Sequence, residues 1–375
     1  MSAVPRRCRP AHRIGDNAPV TPTVSTIRTV TLDASGKRFP VRPGETVLAA
    51  AQRAGLALPY SCRAGVCGSC KATLLAGDVH YPHRPPAALS ADEQAHHAML
   101  VCQAVPRSDL RIAAREVVTA EDLPRRRLTA TVSAKTPLAP DVIALRLAIA
   151  DAPPLRWLAG QYVDVLLADD GRRAFSIANA PHRGPELELH LRRVAGGGFT
   201  SYAFDTLAPG MTLQLEGPLG TFVPREDSER PLLFVAGGTG FAPVKALIEH
   251  FLHLGTRRPI ALYWGARSVE ELYLRDLPAQ WAAAHPGLRF VPVLSAAADA
   301  RGLRTGLVHE AVLADLREIP EMDVYMAGPP ALIETARRAF AGAGLPESQL
   351  FYDSFEYAPE VLDRILRGRA GIHGR

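Results

Sequence analysis

Four cysteines are spaced so that their side chains could hold an inorganic centre. Cys62, Cys67 and Cys70 have four and then two residues between them, and Cys102 lies further along the chain. This spacing is typical of a loop that wraps a 2Fe-2S cluster. Several residues between the cysteines are small, which lets backbone N–H groups approach the negatively charged sulfur atoms. The sequence therefore predicts that these four thiolates ligate a cluster, with Cys102 completing the coordination of the second iron.

Two other roles for the thiols fit less well. A disulfide-based scaffold is short and rich in cysteine, whereas this chain has 5 cysteines in 375 residues and no signal-peptide-like apolar run near its start. Structural zinc sites usually combine two Cys-x-x-Cys pairs, and only Cys67 and Cys70 form such a pair here. Cys8 lies in a basic segment that contains prolines and is interpreted as a bystander.

Composition and charge argue against several classes of protein. The length suits two or three domains, and 47% of the residues are hydrophobic, as in a globular protein. The formal net charge of +5 comes from scattered arginines, so the sequence does not indicate nucleic-acid binding. No window approaches about eighteen consecutive apolar residues, so no membrane span is expected. A cytoplasmic location is predicted because it would keep the thiolates reduced.

The cysteine loop lies in a predicted β-rich domain over residues 24–118. Residues 1–23 lack apolar periodicity, contain several prolines and are predicted to be a disordered leader. Thr46 can cap a short helix that ends near Gly55, between two strands and the cysteine loop. The β-branched and apolar segments predict strands at residues 24–32, 38–41, 72–75 and 110–117.

The rest of the chain changes pattern twice. A charged linker that contains Pro124 is predicted over residues 119–127. Evenly spaced short β-rich segments then predict a small antiparallel barrel over residues 128–226. In residues 227–358, apolar runs typical of buried parallel strands alternate with helical stretches, which predicts a doubly wound α/β domain. Residues 359–375 are a tail to which the sequence assigns no role.

A glycine-rich turn lies near the start of the last domain. Gly237 to Gly240 follow a buried strand and precede a helix, so their backbone N–H groups could bind the pyrophosphate of a dinucleotide. The run Gly238-x-Gly240 fits a dinucleotide-binding fingerprint, but Ala242 and Pro243 stand where the third glycine is expected. By itself the turn is equally compatible with a structural role.

The order of these domains resembles a known family. A barrel, a glycine loop and an α/β domain resemble the ferredoxin-NADP reductase superfamily, and the domain at residues 24–118 resembles a whole plant-type ferredoxin. Residues 24–357 together resemble the reductases of bacterial oxygenases, and most closely CDP-6-deoxy-3,4-glucoseen reductase-like proteins. The resemblance implies a multidomain α+β and α/β fold with a β-grasp 2Fe-2S ferredoxin domain, an antiparallel FAD-binding β-barrel and a doubly wound NAD(P)-binding domain.

The resemblance carries over to a set of flavin-binding residues. The run Arg173-Ala174-Phe175-Ser176 resembles a motif in which the arginine binds the flavin pyrophosphate, the aromatic ring lies on the isoalloxazine and the serine hydrogen-bonds near N5. A guanidinium that forks onto phosphate oxygens suits this role, although each residue alone would more often be a surface charge or a core residue. A second strand and a phosphate-binding helix start are implied at His190, Arg192, Gly198, Phe199, Thr200 and Ser201.

A second set of residues is implied on the nicotinamide side. Glu271 could accept hydrogen bonds from ribose hydroxyls and would repel a 2′-phosphate, which favours NADH. Arg267 is nearby and could instead pair with the 2′-phosphate of NADPH. The other residues implied to bind this cofactor are Gly238, Thr239, Gly240, Pro243, Gly328 and Pro329.

Two positions depart from the family's pattern. Ala327 stands where the family usually has a cysteine near the nicotinamide. Because hydride passes from nicotinamide C4 to flavin N5, that thiol is not a reactant, and activity is expected to survive. The run Asp353-Ser354-Phe355 stands where the family has a glutamate and an aromatic residue beside the flavin. The resemblance implies catalytic roles for Ser176, Asp353 and Phe355, with a shorter acid than usual.

The implied cofactors define a direction of electron flow. NADH donates two electrons as hydride, FAD accepts them together and releases them singly, and a 2Fe-2S cluster takes one at a time. The sequence thus predicts an NAD(P)H-dependent oxidoreductase that serves a partner protein, such as an oxygenase component or a deoxysugar dehydrase. The alternative is an electron-transfer subunit that is active only within a fixed complex, as in a dihydroorotate dehydrogenase-type assembly.

Replacing any one of Cys62, Cys67, Cys70 or Cys102 by serine is expected to remove iron and acid-labile sulfide from the purified protein, because the cluster then lacks a thiolate ligand. The matched control, Cys8→Ser, is expected to keep both. Iron and sulfide assays on the purified variants check this outcome. Stoichiometric zinc without sulfide in the unmodified protein would contradict it.

Overall fold

The computed structural model describes most of the chain as three structural units. It describes residues 26–61, 63–82, 86–116, 123–150, 153–168, 171–194, 197–296 and 302–355. The predicted leader and tail, together with Cys8 and Cys62, lie outside these ranges. No helix in the described part is long and apolar enough to cross a membrane.

The first unit is a five-stranded mixed sheet that supports the cysteine loop. Its elements are β1 (Arg28–Leu32), β2 (Arg38–Val41), α1 (Val47–Arg53), β3 (Lys71–Ala76), β4 (Val79–His80), α2 (Ala91–Ala95), β5 (Ala98–Leu100), β6 (Val105–Pro106) and β7 (Leu110–Ala113). The sheet order is β2-β1-β7-β3-β5. Strand β1 is parallel to β7 and the other neighbours are antiparallel, whereas β4 and β6 pair with each other.

Helix α1 forms as predicted and covers one face of this sheet. The hydroxyl of Thr46 accepts a hydrogen bond from the backbone N–H of Ala49, which satisfies one of the free donors at the helix start. Val47 and Ala51 are among the residues that face the core. The helix ends at Arg53, and Ala54 is its exposed C-cap. The helix thus anchors the segment that leads into the cysteine loop.

The second unit is an antiparallel barrel. Its elements are β8 (Arg126–Ala139), β9 (Val142–Ile149), β10 (Tyr162–Leu166), β11 (Arg172–Ser176), β12 (Leu187–Arg192), α3 (Gly198–Asp205) and β13 (Thr212–Leu219). The strand order is β11-β10-β13-β8-β9-β12, and a bridge between Ile177 and Leu189 joins the two edge strands. Strand β8 starts inside the predicted linker, because Arg126 and Arg127 already pair with β13.

The third unit is a six-stranded parallel sheet with helices on both faces. Its elements are β14 (Leu232–Gly237), α4 (Phe241–His253), β15 (Ile260–Ala266), α5 (Asp276–Ala284), β16 (Leu288–Leu294), β17 (Arg304–Thr305), α6 (Val308–Asp315), β18 (Asp323–Gly328), α7 (Pro330–Gly342) and β19 (Leu350–Ser354). The strand order is β17-β16-β15-β14-β18-β19. The apolar strands alternate with helices, so the predicted doubly wound arrangement is confirmed.

The barrel and the parallel sheet share a hydrophobic core. Phe234 of β14 and the helix residue Phe241 pack in the same buried cluster as Val142, Ala159 and Phe222 of the barrel. Burial of apolar surface across this boundary favours a fixed arrangement of the two units. A cofactor that contacts both units at their junction would therefore bind to a rigid site.

Candidate functional site

Three of the four predicted cluster ligands are buried together. Cys67, Cys70 and Cys102 are buried free thiols, and the sulfur atoms of Cys70 and Cys102 are 3.0 Å apart. The hydrogen bond to Cys102 and burial raise the pKa of the Cys70 thiol well above its usual value. Bound iron would favour the thiolate forms, and this donor set is the type that iron–sulfur clusters use. Cys62, the fourth predicted ligand, lies outside the described residues.

The backbone of the cysteine loop is shaped for close approach to a ligand. Gly65 and Gly68 have left-handed φ angles of 74° and 78°. A side chain at Gly65 would lie 3.0 Å from Cγ of Gln103, so glycine also avoids a tight contact there. The hydroxyl of Ser69 is buried and makes no hydrogen bond to the described residues. These features fit a cluster whose sulfur atoms accept hydrogen bonds from the loop.

A pocket lies where the barrel, the glycine loop and the C-terminal strand meet. Most of the predicted flavin residues line it, together with residues to which the sequence assigned no role at the flavin. The predicted residues in its wall are Arg173, Ala174, Phe175, Ser176, His190, Arg192, Phe199, Thr200, Thr239, Asp353 and Phe355. The additional residues include Ser61, Tyr162, Arg172, Gly197 and Ala242. Gly198, Ser201, Gly238, Gly240 and Pro243 are outside the pocket wall.

The pocket combines an apolar wall with a buried acid. The rings of Phe175 and Phe199 are 5.5 Å apart, which gives a flat cofactor an aromatic surface. The Ser176 hydroxyl donates a hydrogen bond of 3.2 Å to Oδ2 of Asp353. Asp353 is only 6% exposed, and burial raises its carboxyl pKa. The predicted catalytic serine and acid are thus in direct contact, and Phe355 lies in the same pocket wall.

His190 is held by protein groups on both sides of its ring. Nδ1 lies 3.0 Å from the Tyr273 hydroxyl, and Nε2 lies 2.9 Å from Oε1 of Glu188. Burial lowers the pKa of His190. Burial opposes ionisation of Glu188, but the hydrogen bond to His190 and the charge of Lys245 lower its pKa to about 2. His190 therefore joins the barrel to the parallel sheet, in addition to its predicted contact with the cofactor.

Arg192 lies between the flavin pocket and the glycine loop. Its Nε is 3.3 Å from Asp141 and its Nη1 is 3.6 Å from Glu271. Nε and Nη2 are nevertheless buried without a hydrogen-bond partner among the described residues. A side chain at Gly238 would lie 3.5 Å from Nη1, so the guanidinium is directly beside the loop. This position suits the phosphate oxygens of a cofactor.

The glycine loop is at the topological switch point of the parallel sheet. It follows β14, whose neighbours β15 and β18 lie on opposite sides, and nucleotides bind at such crevices. A Cβ atom at Gly240 would be 2.0 Å from the carbonyl oxygen of Ala327, so only glycine fits. The indole N–H of Trp264 donates to the Gly238 carbonyl. Gly328 and Pro329 lie beside the loop, within contact distance of Gly237.

The two residues predicted to decide nucleotide preference contact each other. Nε of Arg267 donates a 2.7 Å hydrogen bond to Oε1 of Glu271, and its backbone N–H donates to Oε2. Burial opposes ionisation of Glu271, but these hydrogen bonds lower its pKa. The pair lies just after β15, where the carboxylate partly neutralises the guanidinium.

The cysteine loop is attached to the flavin pocket at several points. The Ser61 hydroxyl donates a 2.6 Å hydrogen bond to Oδ1 of Asp353. The Tyr60 hydroxyl accepts a hydrogen bond from the Gly220 N–H, and Arg63 forms a 2.5 Å ion pair with the buried Asp164 of the barrel. The cluster loop therefore lies directly against the flavin site.

A thiol loop, a flavin pocket and a nucleotide crevice in mutual contact define an iron–sulfur flavoprotein reductase. Residues 30–107 match the model of the 2Fe-2S iron-sulfur cluster binding domain. Residues 129–223 match the oxidoreductase FAD-binding domain, and residues 234–338 match the oxidoreductase NAD-binding domain.

Similar proteins match this chain over nearly their whole length. The CDP-6-deoxy-L-threo-D-glycero-4-hexulose-3-dehydrase reductase of Yersinia pestis is 35% identical over 326 residues, which cover 87% of this chain and 98% of the relative. Terephthalate 1,2-dioxygenase reductase component 2 of Comamonas is 35% identical, covering 86% of this chain and 95% of the relative. The crystal structure of the Amycolatopsis cytochrome P450 reductase GcoB matches with a TM-score of 0.71 and 36% identity, covering 88% of this chain and 99% of that one.

The chain belongs to this family of oxygenase and dehydrase reductases. It is an oxidoreductase that passes electrons from NADH through FAD to a 2Fe-2S cluster. The predicted fold class, enzyme class and cofactors are confirmed, and the zinc and disulfide interpretations are not supported. The domain boundaries and the roles of individual residues stay predictions.

Replacing Arg173 by alanine is expected to weaken FAD binding by about 1.5–3 kcal/mol, or roughly 10- to 100-fold in Kd, because a phosphate would lose its charged partner. Fluorescence titration of the apoprotein with FAD measures the change. Arg146→Ala, at an exposed position on β9, is the matched control and is expected to leave the affinity unchanged. An equal affinity for Arg173→Ala would show that another arginine holds the pyrophosphate.

Proposed function

We propose that this reductase delivers electrons to a separate protein that is an oxygenase component or a deoxysugar dehydrase. Relatives that match over most of their length carry names of both kinds. The observation that carries the proposal is the contact of the cysteine loop with the flavin pocket through Ser61 and Asp353. The cysteine loop would hold a cluster beside the flavin pocket, and such a cluster would supply one-electron transfer to the partner. We also propose that the protein works in the cytoplasm, where the thiolates stay reduced.

The residues of the pocket have distinct proposed roles in this reaction. Bound FAD supplies the exchange between two-electron and one-electron transfer. Arg173 binds the pyrophosphate, and Phe175 and Phe355 exclude water from the ring surface. The Ser176 hydroxyl provides a hydrogen bond at the reacting edge of the flavin, and the buried Asp353 carboxylate orients that hydroxyl. These groups position the cofactor, so no acid–base catalyst acting on a substrate is required.

The glycine loop and the residues after β15 form the proposed nicotinamide-nucleotide site. Backbone N–H groups of Gly238 to Gly240 and the start of α4 would face the pyrophosphate. In this proposal Glu271 accepts hydrogen bonds from the ribose, and its ion pair with Arg267 reduces the positive charge available to a 2′-phosphate. Both features favour NADH over NADPH.

The serine variant of a cluster ligand is expected to separate two activities of the enzyme. Cys102→Ser should keep NADH-dependent reduction of ferricyanide, because small oxidants collect electrons at the flavin. It should lose most reduction of cytochrome c, a protein acceptor that draws on the cluster. Steady-state assays with both acceptors check this. If the variant reduced cytochrome c as fast as the unmodified protein, the cluster would not be the exit for electrons.

The value of kcat/KM is expected to be at least about tenfold higher for NADH than for NADPH, because Glu271 repels the 2′-phosphate. Glu271→Gln should narrow this ratio, since it removes the negative charge and weakens the pairing with Arg267. Glu270→Gln, at the neighbouring position, is the control. Initial-rate measurements with ferricyanide and each nucleotide test the preference, and a higher kcat/KM for NADPH would reverse it.

A further inference from the structure

The Asp353 carboxylate accepts hydroxyl hydrogen bonds from two different units. Oδ2 accepts from Ser176 of the barrel at 3.2 Å, and Oδ1 accepts from Ser61 of the cysteine loop at 2.6 Å. The Ser61 hydroxyl is 3.4 Å from the Ser354 carbonyl, so the shorter contact with Asp353 is its main hydrogen bond. Each oxygen of this buried acid thus has a donor, and the two donors lie on opposite sides of the boundary between cluster and flavin.

We propose that Ser61 is a positioning residue for electron transfer from FAD to the cluster. It would act by holding the cysteine loop against the flavin pocket through its hydrogen bond to Asp353. This inference rests on the proposed roles of Ser176 and Asp353 at the flavin.

The backbone of Ser61 is held as firmly as its side chain. Tyr162 is the first residue of the barrel strand β10, and its hydroxyl donates a 3.1 Å hydrogen bond to the Ser61 carbonyl. One residue earlier, the Tyr60 N–H donates to the Thr221 hydroxyl at 3.1 Å. These two contacts hold the backbone of the cysteine loop against the barrel.

The acid at the end of β19 is well suited to this double contact. Aspartate has one methylene fewer than glutamate, so its carboxylate stays close to the strand backbone and has few rotamers. Asp353 sits between Ser61 and Ser176 in that restricted position. When Ser61 lacks its hydroxyl, Oδ1 is left buried without a side-chain donor among the described residues, and the cysteine loop loses its contact with the acid.

The test compares Ser61→Ala, Ser61→Thr and the control Ser35→Ala in the cofactor-loaded protein. Ser35 is an exposed serine of the same unit, in the turn between β1 and β2. Laser-flash reduction of the bound flavin by a photoexcited one-electron donor, followed by bleaching of the cluster absorbance, gives the rate of internal transfer. Stopped-flow mixing with NADH gives the rate of flavin reduction. Hydrogen exchange of the oxidised protein reports how firmly the peptide containing Tyr60 and Ser61 is held.

We expect Ser61→Ala to slow internal transfer by about fivefold or more, because small displacements of reacting centres have large effects on rate. Its peptide around Ser61 should exchange hydrogen faster, and internal transfer should slow by a larger factor than flavin reduction by NADH. Ser61→Thr, which keeps a hydroxyl, should restore the slow exchange and most of the transfer rate. Tyr162→Phe removes the hydrogen bond to the Ser61 carbonyl and should change both readouts in the same direction, which provides a second test if Ser61→Ala does not fold.

Internal transfer and hydrogen exchange in Ser61→Ala that match those of Ser35→Ala would overturn the inference. So would an equal loss of transfer in Ser61→Ala and Ser61→Thr, because the hydroxyl would then not be the cause. A different result would reject the function itself: if NADH reduced the flavin of the unmodified protein but the cluster never bleached, the electron path would be wrong.

Discussion

The position of the cysteine loop on the barrel depends on buried charges that must be paired. Asp164 is 2% exposed and forms ion pairs with Arg63 of the loop and with Arg172. Arg172 also pairs with Glu216, which in turn contacts Arg125 next to the first barrel strand. Removing one partner from a buried pair costs about 3–5 kcal/mol, because the other charge stays out of water. The network therefore penalises any movement of the loop away from the flavin pocket.

A similar principle holds the barrel against the parallel sheet. Lys245 of α4 contacts both Glu188 of the barrel and Glu249, and its ammonium donates to the Ala178 carbonyl. All of these groups are wholly or largely buried and mutually neutralised, so they specify one relative orientation of the two units. The flavin pocket and the glycine loop lie on either side of this boundary. The relative position of the pocket and the loop thus depends on polar contacts between the two units.

The sequence was most informative where function depends on local spacing. The cysteine loop, the glycine turn and the run from Arg173 to Ser176 are short. A short motif can be recognised in the sequence without knowledge of the tertiary contacts that its residues make. The alternation of apolar strands and helices likewise predicted the doubly wound sheet. The contacts that join the units could not be predicted in this way. Ser61 and Asp353 are 292 residues apart in the chain, and nothing in either neighbourhood indicates the other.

Two outcomes show why single residues are harder to predict than patterns. His190 lies in the pocket wall as expected, but both of its ring nitrogens are satisfied by Tyr273 and Glu188, whose positions depend on the packing of two units. The sequence predicted opposite effects of Arg267 and Glu271 on nucleotide preference, and the structure pairs the two side chains. In each case the sequence singled out the side chain, but its partner depended on the tertiary structure.

The location of β19 has a consequence for how the protein avoids aggregation. It is an edge strand of the parallel sheet, and an uncovered edge can pair with another chain. Here Arg115 of the first unit donates to the Leu350 carbonyl and lies 4.7 Å over the Phe351 ring, while the Tyr352 hydroxyl donates to the Gly68 carbonyl. The iron–sulfur unit thus also covers the edge of the sheet. A reductase without this unit would lack a redox centre and would also expose an edge strand that can pair with another chain.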